Sequence, residues 1–189
     1  MLEPAASIVM ITFQHSKYIE AAVKSSLNQT VTNIEIIVVD DGSSDGTSEK
    51  LAHIRDPRLT VIRQANSGPS LALNRAIATA KSEFLALSSG DDINNPDRIE
   101  RQLSAITKHN VDAVFGRPSI IDDDGNPLPD ASPHSRVFFN AAPHGTDSFF
   151  RTLFMTGNFL CAPSAMLRRS ALNECGAFHP ALYQLQDFH

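Results

Sequence analysis

Two adjacent carboxylates close an apolar run in the stretch Phe84 to Pro96, FLALSSGDDINNP. Phe84, Leu85, Ala86 and Leu87 lead straight into Ser88, Ser89, Gly90, Asp91 and Asp92. A carboxylate in such a place costs desolvation free energy unless it is paired, solvated or bound to a cation. A second apolar run, Ile34 to Val39, ends in Asp40, Asp41 and Gly42, and a third, Ser7 to Thr12, ends in Phe13-Gln14-His15-Ser16. If these runs are strands of one parallel sheet, Phe13, Asp41 and Asp91 share its carboxyl edge, where open α/β sheets bind ligands. The competing reading is a polar turn with both aspartates in water and Asp92 or Asn95 capping the next helix. Asp122-Asp123-Asp124-Gly125-Asn126 also invites a metal-loop reading. An EF-hand's later oxygen ligands and terminal glutamate are missing there, and Asp-Gly signals a β-hairpin turn instead.

The elements that must position these residues follow from periodicity. Ser7–Thr12, Ile34–Val39 and Phe84–Leu87 are short, nearly unbroken apolar runs, the pattern of buried strands, and Leu59–Ile62 reads as a further strand between the second and the last of these. Helical spacing follows each one: Ile19, Ala22, Val23, Ser26 and Leu27; then a helix through Leu51 and Ile54; then Ser70 to Ala80; then Ile99, Leu103, Ile106 and Thr107. Pro96 suits the first turn of the last of these, with Asn95 as its cap. Strand alternating with helix predicts an α/β domain with a Rossmann-like, mostly parallel sheet. Beyond residue 110 the pattern changes to short strands at Ala113–Gly116, Ser119–Ile121 and Ser164–Leu167. A loop or lid is expected over Pro127 to Gly145, a helix over Asp147 to Met155, and a short helix capped by Ser170 and ended at Cys175-Gly176.

The bulk numbers bound the class. With 189 residues, 42% hydrophobic and 20% charged, the chain suits one globular domain. A formal charge of −5 argues against a nucleic-acid-binding surface. Cys161 and Cys175 form no C-x-x-C pair, and their apolar neighbours predict buried, reduced thiols in a reducing compartment. No apolar run reaches the roughly 18–20 residues that span a bilayer. The start, MLEPAASIVMITF, lacks the basic region of a signal peptide. The expectation is a cytoplasmic protein, with peripheral membrane association left open.

The ordered blocks SIVMITFQHSKYIEAAVKSSLNQT, IEIIVVDDGSSDGT, NSGPSLALNRAI, SEFLALSSGDDINNPDRIERQ and LQDFH resemble the family 2 glycosyltransferases. The resemblance spans Ser7 to His189 and implies a GT-A fold: a parallel central sheet flanked by helices, with a smaller mixed acceptor-side region. It implies a single domain, residues 1–189, with a nucleotide-binding half to about 110 and an acceptor-side half from about 111. Because LQDFH stops in mid-pattern, a C-terminally truncated domain is the expectation.

The implied activity is inverting transfer from a nucleotide-sugar, UDP-linked, to a hydroxyl of a saccharide or glycolipid, with Mn2+ or Mg2+ as cofactor. The roles carry over by position. Phe13 lies against the base and Asp41 reaches its edge. Ser89-Gly90-Asp91 occupies the family's Asp-x-Asp positions, with Asp91 as the cation ligand and Ser89 and Gly90 beside the nucleotide. Asp187 matches the general base of the family's Glu-Asp motif. Two departures stand out: Ser89 replaces the first aspartate and Gln186 replaces the glutamate. They favour, as the alternative, a non-catalytic nucleotide-sugar-binding module or an inactive fragment. A dinucleotide-dependent oxidoreductase is excluded because no G-x-G-x-x-G follows the first strand. The sequence names neither the sugar nor the acceptor.

Overall fold

The computed structural model describes residues 3–128, 151–152, 155 and 160–180. Its elements follow in the order β1 (Ala6–Thr12), α1 (Ile19–Leu27), β2 (Ile34–Asp40), α2 (Thr47–His53), β3 (Leu59–Arg63), α3 (Pro69–Thr79), β4 (Phe84–Ser89), α4 (Arg98–Lys108), β5 (Ala113–Phe115), β6 (Ala165–Arg168) and α5 (Arg169–Cys175). The six strands form one sheet in the order β3-β2-β1-β4-β6-β5. Strands β1 to β4 are mutually parallel, and β6 runs antiparallel between β4 and β5.

Alternation along the strands sorts the core into two layers. Ile8, Met10, Ile36, Val38 and Ala86 face α1, α2 and α4, meeting Ile19, Val23, Leu51, Ile99 and Ile106. Val9, Ile37, Val39, Leu85 and Leu87 face the other way, onto Ala72, Leu73, Ala76 and Ile77 of α3. Burial on both faces is why β1, β2 and β4 read as apolar runs. This is the mostly parallel α/β architecture expected from the repeating strand–helix pattern.

Several local expectations need correction. Helix α4 starts at Arg98 rather than Pro96, and the Asn95 side chain does not cap it; the Asn95 carbonyl accepts the Arg98 N–H at 3.1 Å. Ser170 does not cap α5, because its hydroxyl is drawn to Glu83 Oε1 at 2.9 Å. Residues 119–121 form no strand, only an isolated bridge from Ile121 to Pro127. Cys161 is half-buried and Cys175 exposed, both as free thiols, where burial was expected. The 122–126 segment is a turn: the Asp122 carboxylate accepts the Asp124 and Asn126 backbone N–H groups, at 3.0 and 2.8 Å. Those bonds hold the Asp122 carboxyl below the usual carboxylate range. Gly176, with φ of 94°, ends α5 in the left-handed conformation that favours glycine. The expected 127–145 loop and 147–155 helix fall largely outside the described residues.

Candidate active site

The sheet order reverses beside β1: the chain steps outward to β2 and β3, then returns to place β4 on the opposite side of β1. Such a reversal opens a crevice at the carboxyl ends of the strands. Register puts Thr12 of β1 beside Asp40 of β2, and Ile11 beside Ser89 of β4. The connections continue past the strand ends, Asp41 N–H to Thr12 O and Gly90 N–H to Ile11 O, both at 2.9 Å. Phe13, Asp41, Ser89, Gly90 and Asp91 therefore gather at one sheet edge. Asp187 lies outside the described residues.

The loop after β1 is clamped onto the turn after β2. Gln14 takes a left-handed φ of 59°, unusual for a residue with a Cβ. The contacts that hold it and its neighbours include Gln14 N–H to Ser43 Oγ at 3.0 Å, Ser44 N–H to Gln14 Oε1 at 2.9 Å, His15 N–H to Thr47 Oγ1 at 3.0 Å, and Ser16 N–H to Asp45 Oδ2 at 2.9 Å. The Thr47 hydroxyl bond, with the Ser16 and Thr47 amides, holds the Asp45 carboxyl well below the usual carboxylate range. With this clamp in place Phe13 stays 44% exposed at the sheet edge.

Asp40 and Asp41 are both buried, and the protein itself occupies them. Asp40 accepts the Ser43 N–H at 3.0 Å and the Ser48 hydroxyl, with Arg63 Nε 3.8 Å away. Asp41 accepts Gln64 Nε2 at 2.7 Å and the backbone N–H groups of Ser67 and Gly68, each at 2.9 Å. It thereby holds the turn that starts α3. Arg75 reaches Gln64 Oε1 at 3.1 Å and extends this chain of bonds.

The turn after β4 is built differently. Asp91 is about half exposed; it accepts the Ser89 hydroxyl, and His15 Nε2 lies 3.7 Å from its Oδ2. Desolvation, then the Asp91 charge, push the Asp92 carboxyl up, and Arg98 and His15 oppose that shift. Gly90 admits no side chain: a Cβ there would lie 2.4 Å from Thr12 Oγ1 and 2.9 Å from His15 Nδ1. Those two buried atoms have no hydrogen-bond partner among the described residues. Nor do the described residues contain a group of three or more His, Cys, Asp or Glu placed to hold a metal.

Behind the turn stands a staple that sequence reasoning did not identify. Arg98 donates to Leu87 O at 2.7 Å, Ala165 O at 3.2 Å, Gln102 Oε1 at 3.0 Å and the Asn94 side-chain oxygen. Gln102 donates to Ser164 O at 2.7 Å, and Asn94 to Ser26 Oγ at 2.9 Å. Burial pulls the Arg98 guanidinium down to about 10, so it is charged at neutral pH. The available signal was two polar residues four apart on the α4 face that also carries Ile99 and Ile106. His15 and Thr12 were also missed, because neither belongs to a spacing that marks a ligand.

The fold is an α/β domain whose mostly parallel sheet reverses its strand order beside β1, with these residues gathered at the carboxyl edge of that reversal. Residues 7–176 match the family model for glycosyl transferase family 2, and the chain belongs to that family. It is 31% identical over 188 residues to an uncharacterized glycosyltransferase of Rickettsia felis, covering 98% of this chain and 30% of that protein. Among solved structures it resembles S. aureus TarS 1-349 in complex with UDP, with a TM-score of 0.73 and 24% identity over 98% of this chain and 53% of that one. It also resembles a mannosyltransferase from Pyrobaculum calidifontis in complex with GDP-Man and Mn2+, with a TM-score of 0.66 and 19% identity over 96% of this chain and 49% of that one. Those two likenesses concern the fold. Among the described residues no helix is long and apolar enough to cross a membrane.

Proposed function

We propose that this chain carries the donor site of an inverting glycosyltransferase that moves a sugar from a UDP-linked donor to a hydroxyl of a saccharide or glycolipid. Surface polysaccharide or glycolipid synthesis in the cytoplasm, at the inner face of the membrane, is the proposed setting. The observation that carries the reading is the Ser89-Gly90-Asp91 turn at the strand-order reversal, a half-exposed carboxylate beside a glycine with no room for a side chain. The UDP-bound fold relative supports uridine as the base, and the Mn2+-bound one supports a divalent ion.

The proposed division of labour runs along the chain, with residues to about 110 serving the nucleotide and those from about 111 the acceptor. The exposed Phe13 ring offers a stacking surface for the base. A carboxylate has about four acceptor sites. Asp41 receives three protein donors, which leaves capacity for one from the nucleotide. Gly90 lets the backbone approach the diphosphate. Asp187 takes the acceptor hydroxyl's proton as that oxygen attacks the anomeric carbon. The carbon–phosphate-oxygen bond breaks as the new bond forms, the nucleoside diphosphate leaves, and configuration inverts. A positioned base contributes about 10²–10⁴-fold.

The residues fit a divalent ion held sparingly by protein. The Asp91 carboxylate accepts only one hydrogen bond among the described residues, and hard cations of this kind take remaining ligands from phosphate and water. When bound, such an ion offsets the negative charge of the departing diphosphate.

Thermal shift tests the donor assignment. UDP with Mn2+ should raise the melting temperature, by the equivalent of about 2.7 kcal/mol at one hundred times Kd. A shift with another nucleoside diphosphate and none with UDP would overturn it. Asp187→Asn should abolish transfer while UDP binding stays. The charge lost at Ser89 and Gln186 favours the second reading, a nucleotide-sugar-binding module without turnover; sugar transfer by the chain with Mn2+ would exclude it.

A further inference from the structure

We infer that His15 is a metal ligand: its Nε2 joins the Asp91 carboxylate on the divalent ion of the donor diphosphate, beside the position where Ser89 supplies no charge. The inference rests on the donor-site reading above and extends it to a residue of the β1–α1 loop.

The backbone of His15 is held at both ends. Its N–H bonds Thr47 Oγ1 at 3.0 Å, and its carbonyl accepts the N–H groups of Tyr18 and Ile19, both at 2.9 Å. The ring is thereby directed across Gly90 towards Asp91. Nε2 stands 3.7 Å from Asp91 Oδ2, too far for a hydrogen bond between them. Two ligands bonded to one ion at about 2.1 Å stand about 3 Å apart at right angles and about 4.2 Å apart when opposed. The observed separation lies between those limits. A hydrogen-bonded pair would close the gap, whereas this separation leaves room for a shared ion.

The far side of the ring supplies an independent observation. A ligating imidazole donates its other N–H to an oxygen that fixes its tautomer and orientation. His15 Nδ1 is buried without a partner among the described residues, and so is Thr12 Oγ1, on a residue only 2% exposed. Both crowd the point that a Cβ on Gly90 would occupy. Leaving two buried polar atoms unpaired costs free energy. An Nδ1–H bond donated to Thr12 Oγ1 would pair both atoms and leave Nε2 to the ion. The glycine is required here by space, for its φ is not left-handed. A nitrogen ligand also favours first-row transition ions over Mg2+.

Electron spin-echo spectroscopy of Mn2+ with UDP and the full chain decides the matter without reference to turnover. UDP-dependent Mn2+ binding should show modulation from a directly coordinated nitrogen, replaced by the 15N pattern when the chain is labelled with 15N-histidine. That measurement needs no variant. His15→Ala should abolish the nitrogen signal and weaken Mn2+ binding about 10–100-fold, whereas His53→Ala should change neither. Thr12→Val should keep the nitrogen signal and weaken Mn2+ binding about tenfold. UDP-dependent Mn2+ binding without histidine nitrogen would overturn the inference and leave the donor-site reading standing. Absence of any UDP-dependent Mn2+ binding would overturn both.

Discussion

Two strands of this domain end in paired aspartates, Asp40-Asp41 after β2 and Asp91-Asp92 after β4, one on each side of β1. After β2 the carboxylates are buried, and backbone amides, a hydroxyl, a glutamine and an arginine surround them. After β4 Asp91 is half exposed, with the Ser89 hydroxyl as its hydrogen-bond donor and a histidine beyond bonding distance, while desolvation and the Asp91 charge push the Asp92 carboxyl up. The same dipeptide thus serves opposite ends. Where donors are built in, the charge holds the scaffold; where they are withheld, the charge remains available to a ligand.

The contrast can be broken by substitution, beginning with the largest effect. Asp91→Asn should lower sugar transfer by about 10²–10³-fold and remove the Mn2+ dependence of UDP binding, with little change in melting temperature. Unaltered UDP–Mn2+ binding would show that this turn is scaffold after all. Asp40→Ala should do the reverse, costing about 2–3 kcal/mol in urea unfolding because it strands the buried Ser43 amide and takes the acceptor from the Ser48 hydroxyl. Gly90→Ala should cost about 1–2 kcal/mol by forcing Thr12 and His15 apart, and should weaken UDP binding as well.

The smallest effect concerns acid stability. Asp45, with its folded pKa depressed, stabilises the fold above the unfolded value of about 3.9 and loses that contribution as pH falls through the folded value. Asp45→Asn should therefore flatten the acid limb of the stability–pH curve below about pH 4, measured by urea midpoints.

Periodicity announced β1 through α4, because apolar strand runs, buried on both faces in β1, β2 and β4, and one-sided helices leave opposite imprints. Strand order leaves none. Nothing in the Ala165–Arg168 stretch says that it enters antiparallel between β4 and β5, since pairing depends on where the chain returns. The start of α4 was misplaced because Pro96 and Asn95 are good terminal residues that the turn uses before the helix begins. At the site, the aspartates were visible because carboxylates after an apolar run are conspicuous. Arg98 and Gln102 were not, because their value lies in carbonyls of β4 and of the 164–165 segment, far away in sequence. His15 was hidden in the same way: a single histidine in a loop becomes notable only once Gly90 is folded against it.

The placement of β6 bears on how such domains diversify. Phe115 pairs with Ala165 across the sheet, so the long excursion between them leaves and re-enters at adjacent points. Closing a loop of doubled length costs only about 0.6 kcal/mol more. Material of very different size can therefore be spliced into that excursion without disturbing the register of β1, β2 and β4. A library confined to the excursion should therefore leave the melting temperature of the β1–β4 sheet nearly unchanged, much as interchangeable heads fit one handle.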